Sequence, residues 1–411
     1  MTRPGDREPH HPDPRWTRSV AESLAAHGGM SGHGRCTTVD VMKSRFGLAN
    51  TAFSFWLATV TFASLASATP PAPSTVRPAI TTEAHPPAVT RSTPAPKVAP
   101  AVKGAPSAAI PVVARDWVKA PAIVEHTAPG EILAVSDLHG HYEEAFKLFA
   151  GNGVIRGKQN DPGHVEWTGG NGTLVVVGDS INKGPGSVHI IDMLRQLQTE
   201  APKFGGKVIV TLGNHEADFI HDPLSERSLR DGTGGKTGLG HEIVLHGEKP
   251  ETVASGADAE GRGQWIRSLP FAAKVNDYFF VHSGNTDGMT KAGLTATIQN
   301  AVKKGGFGHD NILGSENNSV LGADDWKVTA ADAARNAEKL GVKHIVMGHI
   351  PDALDSRGTI ARTKDGALIK LDTGLGNDVG EARMLRVGVK GGVKQLDDDG
   401  ERSNVKKHDI E

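Results

Sequence analysis

Six short apolar runs, each closed by a polar cluster, constrain this chain more than any other feature of its sequence. EILAVS runs into Asp137-Leu138-His139-Gly140-His141, and TLVVVG runs into Asp179. KVIVTLG leads to Asn214-His215-Glu216, YFFV to His282, HIVMG to His349 and ALIKL to Asp372. Such short β-branched and apolar runs read as buried strands. Apolar residues then recur at helical spacing, first Ala145, Phe146 and Phe149, later Val188, Ile191, Leu194 and Leu197. Strands alternating with helices imply an α/β fold with a largely parallel sheet. Ligands of such sheets bind beyond the carboxyl ends of the strands, where all of these clusters fall.

Taken singly, each cluster has an ordinary explanation. An Asp after a strand is a turn residue or a helix cap, a His there is a hydrogen-bonded structural group, and Glu216 belongs to the first turn of a helix. Convergence changes this reading, because Asp137, His139, Asp179, Asn214, His282 and His349 would meet at one rim. These are nitrogen and oxygen donors without a soft thiolate, a set suited to Mn, Fe, Zn or Co. A carboxylate is costly to bury without a positive partner. A divalent metal is the partner expected for Asp179.

In this order, D-x-H-G, G-D-x-x-N-K-G, G-N-H-E, V-H-S-G and G-H-x-P resemble the calcineurin-like metallophosphoesterases. Within them the chain resembles the phosphoprotein phosphatase branch, and especially the Shewanella-like phosphatases of bacterial type, from about Ile132 to Leu375. The resemblance implies a four-layer sandwich, two mixed β-sheets flanked by helices. It also implies two divalent metal ions. Asp137 and His139 would hold the first, Asp179 would bridge both, and Asn214, His282 and His349 would complete the second. A shared water made acidic by the metal pair would attack a phosphomonoester, with His215 as general acid to the leaving oxygen.

Two positions depart from the branch pattern. It usually reads G-D-x-x-D-R-G, whereas this chain has Asn182 and Lys183. They stand where a partner for the catalytic histidine and a phosphate clamp are expected. Asn orients an imidazole without stabilising its charged form, and Lys offers a point charge in place of a planar fork. Asn214 and Lys183 are thus the substrate-contacting candidates, and His215 with Asn182 the catalytic ones. Lys327, beside Trp326, is a further candidate for substrate contact. Pro351 stands where related phosphodiesterases often carry another His, which favours the phosphoprotein phosphatase-like arrangement. A phosphoprotein or phosphopeptide substrate is expected. A nucleotide or dinucleoside polyphosphate stays open, as does a catalytically weak phospho-recognition module.

The remainder of the chain concerns placement. From Met42 the sequence has two basic residues, an apolar run and Ala66-Ser67-Ala68, the layout of a secretory signal cleaved after Ala68. Met42 is the expected start, and 1–68 the signal region. Residues 69–115 form an extended linker, with 11 of the 24 prolines falling between Pro70 and Pro111. A catalytic domain over 116–390 and a polar tail over 391–411 complete the expected organisation. The product would be exported, periplasmic or secreted, without a membrane span unless the signal is retained. A near-balanced charge, 45 Lys+Arg against 47 Asp+Glu, lacks the basic excess of a nucleic-acid binder. The glycine-rich segment from Phe219 to Gly263 is expected over the site as a mobile lid or substrate-selecting loop. Its His221, His241 and His246 are left outside the ligand set, which is complete without them.

Overall fold

Alternation along the central strands decides the architecture. The computed structural model describes residues 111–307, 312–314, 319–323, 330–377 and 382–408. The signal region, almost all of the linker, and Trp326 with Lys327 lie outside the described residues. In spatial order, the seven-stranded sheet is β1 (Ile123–His126), β7 (Ala272–Val275), β8 (Tyr278–Val281), β9 (His344–Met347), β11 (Leu368–Lys370), β10 (Ala361–Thr363) and β15 (Lys406–His408). The six-stranded sheet is β14 (Arg402–Asn404), β13 (Val393–Leu396), β12 (Met384–Val387), β2 (Ile132–Val135), β5 (Thr173–Val177) and β6 (Lys207–Thr211). A hairpin pairs β3 (Ile155–Arg156) with β4 (Glu166–Trp167).

Side chains of a strand alternate between its faces. Ile132, Ala134, Val175 and Val177 join Ala273, Val275, Phe280 and Val346 in a core between the two sheets. Their neighbours Val135, Leu174 and Val176 enter a second core with the helices. β5 is therefore buried at all five residues, as the TLVVV run implies. Helix α1 (Tyr142–Gly151) buries Ala145, Phe146 and Phe149, and α2 (Ser187–Glu200) buries Val188, Ile191, Leu194 and Leu197. The other helices are α3 (Asn214–His221), α4 (Leu239–Leu245), α5 (Pro250–Ser255), α6 (Arg262–Ser268), α7 (Lys291–Gly305) and α8 (Ala330–Leu340). α2 packs over β6, while α8 packs over β9 and β11. Helices thus flank both sheets. Among the described residues, no helix is long and apolar enough to cross a membrane.

Two expectations need correction. The sheets are mixed, as the family resemblance implies, and not largely parallel as strand–helix alternation alone suggests: β2, β5 and β6 run parallel, but β12 joins β2 antiparallel. Nor is the chain a tail after 390. β13 and β14 extend the six-stranded sheet antiparallel, and β15 pairs parallel with β10 in the other. β14 is exposed along its whole length, so backbone pairing holds it with no apolar pattern to announce it.

Candidate metal centre

The parallel strands deliver the polar clusters to one rim. β2, β5 and β6 end just before Asp137, Asp179 and Asn214, while β8 and β9, parallel in the facing sheet, end before His282 and His349. The backbone turns sharply at these ends. Asp137, His139, Asp179, Asn182, Lys183 and His349 all have positive φ, between 46° and 69°. Side chains other than glycine rarely adopt this region, at a cost of order 1–3 kcal/mol each, and such strain concentrates at functional sites. The two leading loops then run side by side, His139 N donating to Asp179 O (2.8 Å) and Gly140 N to Ser180 O (2.9 Å). Gly140 has φ +71°, and a Cβ there would lie 2.4 Å from Gly184 O. Only glycine lets the loops close.

Asp179 is the hub. Its Oδ1 lies 3.3 Å from His282 Nε2 and accepts from His215 N at 2.9 Å. Its Oδ2 lies 3.7 Å from His139 Nε2 and 3.8 Å from His215 Nε2. Two donor groups share this carboxylate: His139, Asp179 and His215 on one side, and Asp179, His282 and His349 on the other. Asp137 Oδ1 lies 3.8 Å from His139 Nε2, and the Asp137 carboxylate accepts from His349 N at 3.0 and 3.1 Å. Asn214 Oδ1 is 3.2 Å from His282 Nε2. All six expected ligands thus meet at one place. His221, His241 and His246 belong to neither donor group.

Backbone carbonyls set the histidine tautomers. His282 Nδ1 donates to Val177 O (2.9 Å) and His139 Nδ1 to Ile181 O (3.3 Å), so each Nε2 faces the centre. Burial works against charge on His282, yet Asp179 outweighs it and holds the imidazole up at about 10. A divalent ion must displace that proton, so binding releases it. Burial, with Asp179 adding, pushes Asp137 up to about 6. Burial, with Asp137 adding, pushes Asp372 up to about 7. Several buried carboxylates crowd one place and repel one another. With the oxygen and imidazole nitrogen atoms that converge on Asp179, they fit divalent cations.

His215 is set apart by Asn182. Leu239 N donates to Asn182 Oδ1 (2.8 Å), which fixes the amide so that Nδ2 meets His215 Nδ1 at 3.1 Å. His215 Nδ1 therefore accepts, and Nε2 carries the proton toward Asp179 and the cavity. Burial lowers the His215 pKa to about 3, only partly opposed by Asp179. The ring is neutral at working pH. Asn182→Asp is expected to place a carboxylate against Nδ1 and raise this pKa. The imidazolium then persists to higher pH, so a descending limb moves up into the measurable range of the pH–kcat profile. An unmoved profile would separate Asn182 from the chemistry.

Lys183 does not point where a simple phosphate clamp would. Its ammonium donates to His139 Nε2 at 2.9 Å. That nitrogen has one lone pair, so Lys183 and a metal ion are alternatives there, and a bound ion would displace the ammonium. Glu216, read from sequence as a first-turn helix residue, does more than that. It accepts from Asp179 N (3.0 Å), Ser180 N (2.7 Å) and Gly213 N (2.8 Å), locking the β5 loop to α3. Lys370, fully buried, donates to Pro351 O (2.9 Å) and Ser356 O (2.7 Å), bracing the loop that carries His349.

The segment from Phe219 to Gly263 is not one loose loop. It holds α4 and α5 and runs into the start of α6, and Glu242 in α4 accepts from Ser187 N and Val188 N (both 3.0 Å) at the start of α2. Its earlier part lies against the site. Thr237 N donates to Lys183 O (3.2 Å), and Arg227 and Arg230 line a cavity of about 310 Å³ with Lys183, Asn214, His215 and His349. Neither arginine was singled out by the sequence.

The calcineurin-like phosphoesterase family model matches residues 130–358. The chain is 35% identical over 135 residues to Shewanella-like protein phosphatase 2 of Arabidopsis thaliana, covering 32% of this chain and 31% of that one. It is 36% identical over 156 residues to Shewanella-like protein phosphatase 1 of Plasmodium berghei, covering 38% and 39%. The match therefore spans only about a third of either phosphatase. An uncharacterised protein of Schizosaccharomyces pombe matches at 26% identity over 63% of this chain and 77% of its own length. Among solved structures, the cold-active protein-tyrosine phosphatase of a psychrophilic Shewanella aligns with TM-score 0.53 and 20% identity, over 70% of this chain and 82% of that one. This last likeness is one of fold.

Proposed function

The chain belongs to the calcineurin-like phosphoesterase family, as a metal-dependent phosphatase, and on that premise we propose that it is an exported phosphomonoesterase with a dinuclear centre, acting on phosphorylated protein or peptide. The observation that carries the dinuclear reading is the sharing of Asp179 by two donor groups. Asp137, His139 and Asp179 would hold one ion, with Asp179, Asn214, His282 and His349 holding the other. Bound there, the ions would supply an acidified water and positive charge for the phosphoryl oxygens.

The chain's own residues do the rest. Asn214 and Lys183 line the cavity, and Lys183, once released from His139, would meet the phosphoryl group. His215 presents Nε2 to the same space and, as the imidazolium, would deliver the proton there to the leaving oxygen and return to the neutral ring. An entering phosphate dianion favours a second proton on the ring, as Asp179 does. Asn182 holds the ring so that Nε2 faces the cavity. The cavity walls keep the group in line with its attacking water, which accounts for much of the acceleration in such reactions.

Export rests on the Met42–Ala68 layout. Protein recovered from a secreting host should begin at or near Thr69, and an intact Lys43 would overturn cleavage. For the activity, the purified chain with added manganese should hydrolyse p-nitrophenyl phosphate and phosphopeptides, but not a phosphodiester. A chelator should abolish turnover. Metal uptake without hydrolysis of any monoester would defeat the reading.

A further inference from the structure

Lys183, Arg227 and Arg230 gather three cations on one cavity wall, more than a single phosphoryl group between metal ions needs. The two arginines are not stray surface charges. Gly238 N donates to Arg230 O (3.0 Å), and Thr237, next along, pairs with both Lys183 and Asp231. Leu239 N then reaches Asn182. The arginine loop is thus fastened to the same turn that carries Asn182 and Lys183. Arg227 is already engaged by an ion pair with Asp218. Arg230 is exposed, and among the described residues its guanidinium has no acceptor. A guanidinium at a cavity wall offers a planar fork suited to a carboxylate or a phosphate.

We infer that Arg230, on a loop steadied by the Arg227–Asp218 pair, forms an anion subsite beside the metal centre that selects substrates bearing a second anionic group near the scissile phosphoryl. This inference rests on the phosphatase reading above. The second anion has two possible sources, an acidic side chain flanking a phosphorylated residue or a neighbouring phosphate. The fork binds either through charge-assisted hydrogen bonds.

The test compares the full manganese-loaded chain with its Arg230→Ala variant. Four substrates are used: p-nitrophenyl phosphate, a phosphoserine peptide flanked by Asp, the same peptide flanked by Asn, and a nucleoside diphosphate. A hydrogen bond to a charged group is typically worth enough to change affinity about tenfold. The ratio of kcat/KM for the Asp peptide or the diphosphate to that for the aryl phosphate should therefore fall about tenfold, mostly through KM. Whichever of the two falls more identifies the source. An unchanged ratio overturns the subsite, whether all substrates suffer equally or none does. If the parent hydrolyses nothing, the phosphatase reading fails, and binding decides the subsite separately. By calorimetry, Arg230→Ala should then weaken inorganic pyrophosphate much more than orthophosphate, and equal effects would overturn it.

Discussion

Replacing Asp179 by Asn is expected to strip the protein of its bound metal and of measurable turnover, while leaving it folded. The carboxylate reaches both donor groups, Oδ1 toward His282 and Oδ2 toward His139 and His215. Asn keeps the shape but offers one oxygen and an amide that cannot ligate. It also removes the anion between two cations, whose mutual repulsion then goes unopposed. Burial costs a charged Asp179 dearly, yet His282 and His215 hold its pKa well below the usual carboxylate range, so it is an anion at any working pH. Metal analysis after dialysis, with a thermal melt to check folding, is the measurement. Two tightly held ions in this variant would refute the bridging role.

His215→Ala should behave differently. Loss of a general acid typically lowers turnover by about 10²–10⁴, and both metal ions should remain. The distinction matters because distances alone do not separate the roles. His215 Nε2 is as near Asp179 Oδ2, at 3.8 Å, as His139 Nε2 is at 3.7 Å, and the two rings meet edge to face with centroids 4.8 Å apart. The neighbours of the far nitrogen distinguish them: a backbone carbonyl for His139, the Asn182 amide for His215. A ring whose Nδ1 accepts carries its proton on Nε2 and cannot ligate through that atom until it is lost. If metal content falls in His215→Ala as far as in Asp179→Asn, His215 is a ligand and the proton donor must be sought elsewhere.

The rim was readable in the sequence because one rule, ligands at the carboxyl ends of parallel strands, applies to β2, β5, β6, β8 and β9 at once. Each strand announces itself by a short apolar run, and the residue after it is the one displayed. What lay beyond that rule was hidden. Glu216 is a helix-start residue by pattern, but its partners Asp179 and Ser180 stand on another loop. Arg227 and Arg230 resemble any polar loop's charges until the pairing of Thr237 with Lys183 draws that loop to the cavity. Lys370 reads as the polar member of a strand, and only the fold shows it buried with two carbonyls around its amine. The final strands failed for the opposite reason. They carry almost no apolar signal, and their place is set by backbone pairing to partners already in the sheets.

Those late pairings govern how the chain can reach its native state. β2, at residues 132–135, finds its antiparallel neighbour in β12, at 384–387, and β15 at 406–408 closes on β10 in the other sheet. Contacts so far apart in the chain carry a heavy loop-closure cost, and they slow folding. During synthesis β2 and β5 can pair, but β2 keeps an open edge until β12 emerges. Until these late partners arrive, the open edges leave the nascent chain exposed to aggregation. A chain cut short at residue 390 would lose β13, β14 and β15 together, leaving exposed edges at β12 and β10 and a catalytic rim on an unfinished scaffold.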